Sequence, residues 1–328
     1  MAVAEGVLQA SDHRSEEYAL LWTRLTVRRS QLARLYTHQA IVMNADLPLP
    51  KGDHRSYALE NEVAILKVHE YIDCGNLTAA LQILPLLHAG NLSELEKTVN
   101  DRVGLVRGYV YRFAGHFLES YTVLNQLPPS SRVVSHLSAV ICELGDSERA
   151  IGRLKGQLQL SARAGARNRL RLALADAYLC KCMQAAGLGQ RDDSSSTSAR
   201  KIYEELRANS RLTTRVDWLR SLSIQAGLAI LAHLEGHAGA KGAWEEVLSI
   251  SRACGLKEGY TDAIVYYSMS VLAGERGEME ECTFFAKKAD ALFRNTGRQH
   301  YFTALGSLWP EILRKATDAN GLPPVTFV

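Results

Sequence analysis

Residues 137–154 read LSAVICELGDSERAIGRL: an apolar run stops at Gly145-Asp146, and a second apolar pattern begins at Ala150. Glycine ends a helix at little steric cost, and Asp146 or Ser147 can cap the helix that follows. The elements of this break are a large apolar residue (Ile141), Gly four positions later (Gly145) and a small residue five after that (Ala150). The same spacing returns as Tyr71, Gly75 and Ala80, and as Tyr111, Gly115 and Ser120. Weaker copies are Ala273, Gly277 and Cys282, and a break centred on Gly236. A small residue one and a half turns into the second helix lets the two helices approach closely. The break is therefore a repeated unit, and each unit is an antiparallel helix pair joined by a tight turn.

Further positions keep this register. A small residue stands three before the large apolar one at Gly108 and Ser138, with Leu137 before the latter. An apolar residue follows the Gly by two at Leu77, Phe117 and Met279. On these residues the chain resembles the tetratricopeptide repeat family over about residues 57–295. The units start near 61, 101, 131, 168, 215 and 262, unevenly spaced, and Pro128-Pro129 is the one echo of the family's closing proline. The resemblance implies an all-α, right-handed α-solenoid of about six helix pairs with terminal capping helices. It also implies a non-enzymatic scaffold whose concave surface receives a protein partner.

The rest of the chain is apportioned around these units. Residues 1–13 read as a disordered N-terminus. Residues 14–56 hold an amphipathic capping helix with Leu21, Leu25, Leu32 and Leu35 on one stripe, ended by a polar, Pro-containing linker. The first repeats occupy 57–183. Residues 184–198, with GLGQRDDSSST at their centre, read as a mobile Ser-rich loop open to phosphorylation. The later repeats fill 199–296, a second capping helix 297–316, and an extended tail 317–328.

Composition narrows the functional classes. The apolar fraction of 47% and charged fraction of 22% suit a globular chain, and aromatics at only 7% favour packed helices over sheets. No apolar stretch is long enough to span a bilayer, so membrane contact is expected only peripherally, through a complex. The N-terminus has no basic start followed by an apolar core, and the six cysteines form no CxxC pair. A reduced, cytoplasmic setting is the expectation, with the nucleus also compatible.

No catalytic motif is legible, and no cofactor or metal is expected. His233-Leu-Glu-Gly-His237 has the wrong order for a zinc helix, and Cys180-x-Cys182 points its thiols to different sides of a helix. The arginines carry more information. If the first helix of each pair lines the concave side, its free face presents Arg102, Leu105, Tyr109, Arg112 and Phe113 in the second unit. The third unit adds Arg132 and Ser135, and the fourth Arg169, Leu172 and Asp176. Arginine grips carboxylates and phosphates with two donors, so the expected partner is an acidic or partly apolar peptide, or a neighbouring subunit. The family's carboxylate-clamping Lys and Asn are replaced by Ile65, His69, Ser135 and Ala139, which disfavours a chaperone-tail ligand. Arg163, Arg167 and Arg171 form a second basic patch, and Arg24, Arg28, Arg29 and Arg34 a third on the N-terminal helix. Nucleic acid bound through these patches is the alternative reading; an all-α enzyme is the second.

Overall fold

The computed structural model describes residues 57–73, 76–87, 94–210, 212, 215–236, 238–253 and 260–295. Among them every regular element is helical, in six consecutive pairs. These are α1 (Tyr57–Asp73) with α2 (Leu77–Ile83, extended by a 3-10 turn at Leu84–Leu86), and α3 (Glu94–Phe113) with α4 (Phe117–Asn125). Next come α5 (Ser131–Glu143) with α6 (Ser147–Leu160), and α7 (Ala164–Gly187) with α8 (Asp193–Ala208). The last two pairs are α9 (Arg215–Leu234) with α10 (Ala240–Ala253), and α11 (Tyr260–Glu275) with α12 (Met279–Asn295).

One turn chemistry joins most pairs. At the α5–α6 turn Gly145 takes a φ of +94°, which L side chains rarely adopt. Its N–H donates to the Cys142 carbonyl at 2.9 Å, and the Asp146 N–H reaches back to Ile141 at 3.0 Å. This doubly bonded reversal satisfies the last carbonyls of the first helix. It recurs as His116 to Tyr111 (2.9 Å), Gln190 to Ala185 (2.8 Å) and Glu278 to Ala273 (2.9 Å), each around a positive-φ glycine. Asp146 and Asn76 then cap the next helices, accepting from the Arg149 and Ala79 amides at 3.1 Å each. The small residues play the part their spacing predicts: Ala80, Ser120, Ala150 and Cys282 are fully buried between paired helices.

The Ser-rich stretch differs from its expectation. Residues 184–187 close α7, residues 188–192 form the same tight turn around Gly189, and Asp193 opens α8. Its serines start a helix because Asp192 caps it, accepting from the Ser195 amide (3.0 Å) and hydroxyl (2.8 Å). A polar composition reads as a loop, yet Asp and Ser are what a helix start requires.

Packing is between neighbours. Apolar residues form successive clusters, across α1–α3, α3–α7, α7–α9 and α9–α12, in place of one central core. Odd-numbered helices pack on one another in turn from α1 to α9, whereas among the described residues the even-numbered helices pack mainly on odd-numbered ones and not on each other. A layer whose members touch lies inside a curve, and a layer whose members splay lies outside it. The described chain is thus an α-solenoid with the odd helices on its concave side. No helix among the described residues is long and apolar enough to cross a membrane. The capping helices expected at 14–56 and 297–316, and the segments 1–13 and 317–328, lie outside the described residues.

Candidate partner-binding site

At the α1–α3 end of the inner face, Arg102 Nη1 donates to Glu62 Oε1 at 2.9 Å. One unit along, Arg112 grips Glu143 with two parallel bonds, Nε to Oε2 at 2.9 Å and Nη2 to Oε1 at 2.8 Å. Both arginines were expected as open partner-binding groups; instead acids on the neighbouring odd helix hold them. Tyr109 is corrected as well. It is buried, its hydroxyl hydrogen-bonds His69 Nδ1 at 2.8 Å, and its ring stacks on His69 with centroids 5.4 Å apart. Phe113 leans against the same ring at 5.7 Å, as does His136 from α5. These rings make a floor under the groove rather than anchors projecting into it.

Three guanidinium groups surround His136, from Arg112 on α3, Arg132 on α5 and Arg169 on α7. Burial first, then the charges of Arg112, Arg169 and Arg132, hold its imidazole down at about 3, so the ring is neutral near neutral pH. Arg169 Nη1 donates to the Ser131 hydroxyl at 3.0 Å. Burial and the positive charges of Arg132 and Arg220 lower the Arg169 pKa, a sign that like charges crowd here. Arg220 on α9 is shared with Asp217 at 3.5 Å. Arg132 is exposed and has no partner among the described residues. Two of the expected arginines, Arg132 and Arg169, therefore stand together with no acid paired to either among the described residues, while their neighbour Arg220 is held by Asp217.

Asp176 follows Arg169 by seven residues, two turns along the same stripe of α7. The Tyr203 hydroxyl from α8 donates to its Oδ1 at 2.6 Å. Tyr203 is fully buried, and Gly227 of α9 makes room for it: a Cβ there would stand 2.4 Å from the ring. Asp176 is exposed. Partial desolvation pushes its carboxyl up to about 6, against the opposing pull of the Tyr203 hydroxyl and the Arg112 charge.

The remaining candidates disperse. Leu105 and Leu172 pack into the apolar clusters, and the Ser135 hydroxyl bonds back to the Ser131 carbonyl at 2.7 Å. The stretch 162–171 does not act as one patch: Arg163 and Arg167 are exposed at the start of α7, Arg169 faces inward, and Arg171 pairs with Glu205 of α8. Arg24, Arg28, Arg29 and Arg34 lie outside the described residues, as does His237. Sequence reasoning missed Glu62, His136, Glu143, Tyr203 and Arg220. A signal existed for two of them: Glu62 and Glu143 stand 40 and 31 residues from their arginines, about one repeat.

No family model and no curated protein matches this chain. Among solved structures it is similar to a tetratricopeptide repeat protein from Parabacteroides merdae ATCC 43184, at 18% identity and a TM-score of 0.36. That similarity covers 71% of this chain and 93% of the other. The helix-pair architecture rests on this chain's own turns and packing.

Proposed function

We propose that this protein is a non-enzymatic interaction scaffold, a subunit or adaptor of a cytoplasmic complex, that takes a carboxylate-bearing segment of a protein partner in its concave groove. One observation carries the reading: Arg132 and Arg169 crowd round a neutral His136, and neither has an acid paired to it among the described residues, whereas the neighbouring Arg112 and Arg220 are held by Glu143 and Asp217. Clustered cations cost free energy through mutual repulsion, and a bound carboxylate removes that cost while accepting paired hydrogen bonds. The dispersal of Arg163, Arg167, Arg169 and Arg171 over several faces speaks against a continuous nucleic-acid track.

Arg102 and Arg112 are unsuitable for testing this, because reversing them strands Glu62 and Glu143. The informative variant is Arg132→Glu with Arg169→Glu. Fluorescence anisotropy with a labelled Glu-rich nonapeptide should show affinity falling at least about tenfold, with helicity unchanged by circular dichroism. Equal affinity for wild type and variant would remove the groove from the account.

A further inference from the structure

Resting on that reading, we infer that the groove takes its partner in a fixed charge register: a carboxylate at Arg132 and Arg169, and a basic side chain at Asp176, at positions i and i+3 of a segment in the polyproline II conformation.

The geometry follows from α7. Residues seven apart on a helix share one stripe and are separated by about 10 Å along its axis. A polyproline II segment advances about 3.1 Å per residue with three residues per turn, so positions i and i+3 share one face and span the two charges, whereas in a β-strand they would face opposite sides. Arg169 and Asp176 are such a pair. Asp176 is exposed, and one oxygen, Oδ1, accepts from Tyr203. Its second oxygen has no hydrogen bond among the described residues. The cation nearest it, Arg112, is committed to Glu143 through two bonds. The acid is thus held at a fixed place by a fully buried tyrosine, while the local cation is already neutralised. A carboxylate so placed repels an all-acidic ligand and attracts a mixed one.

The partial desolvation that raises Asp176 supports the same role. The groups facing it are Arg112 on α3, paired with Glu143 on α5, together with Cys180 on α7 and Tyr203 on α8. A ligand cation favours the ionised carboxyl, so binding and deprotonation are linked.

The experiment uses full-length protein and labelled nonapeptides with one Glu and one Lys in a Gly-Ser background, separated by one, three or six residues. Both orders of the charges are included, each with a free or an amidated C-terminus, which separates a side-chain carboxylate from a terminal one. The three-residue spacing should bind about three- to fivefold more tightly than the same peptide with Lys replaced by Ala. Asp176→Asn, which keeps an acceptor for Tyr203, should abolish that advantage and leave the Ala peptide unaffected. The advantage should also grow as pH rises through about 6 in wild type and stay flat in the variant. If Glu peptides bind but spacing and Asp176→Asn make no difference, the register is wrong and the groove survives. If no Glu peptide binds wild type, both fall.

Discussion

Gly145 and Gly108 serve the same fold by different physics. Gly145 sits at φ +94° with nothing within 4 Å of an added Cβ, so its requirement is purely conformational. Gly145→Ala should cost about 1 kcal/mol in a denaturant titration. Gly108 is helical, and a Cβ there would stand 2.4 Å from the Leu124 side chain, which is fully buried. Helix propensity favours alanine by about 1 kcal/mol, but overpacking costs about 1–3 kcal/mol, so Gly108→Ala should also destabilise. Shortening the neighbour separates the two mechanisms. Gly108→Ala combined with Leu124→Val should recover part of the loss, while Leu124→Val should do nothing for Gly145→Ala. Both glycines were legible in the sequence, because a turn glycine and a small close-approach residue (Gly108, Ser138) recur at fixed offsets from a large apolar residue.

At the scale of the element, the α7–α8 turn shows where such reading stopped. Gly189 closes α7 as Gly145 closes α5, yet its neighbours are polar enough to resemble a loop. The cap is the decisive feature. Donation from the Ser195 amide, then from the Ser195 and Ser194 hydroxyls, holds the Asp192 carboxyl well below the usual carboxylate range. Asp192→Ala should cost about 1 kcal/mol at pH 7. Because the folded pKa is depressed, this contribution is present above the unfolded value of about 4 and is lost as pH falls below it. Chemical melts at pH 7 and pH 3 check this: the gap between wild type and variant should narrow at the lower pH. A gap that persists would mean the aspartate acts through packing rather than charge.

Over the whole molecule, the helix pairs were legible and the groove only in part. Each pair forms within some thirty to fifty residues, so its signals are local. The inner face depends on how each unit is rotated onto the next, which decided that Arg102 and Arg112 meet acids while Arg132 does not. No local pattern encodes that rotation. His136 sits where it matters, and it is a direct reporter of the central claim, that a carboxylate enters the arginine cluster. Its imidazole titrates near 3 because burial and three positive charges oppose protonation. The measurement is the His136 ring-nitrogen and ring-proton shifts by NMR at pH 7, where glutamate side chains are ionised, with and without a Glu-rich nonapeptide. Entry of the carboxylate should balance the arginines and shift these resonances, an effect absent in Arg132→Glu/Arg169→Glu; His136 resonances that do not move when the peptide binds would contradict the account.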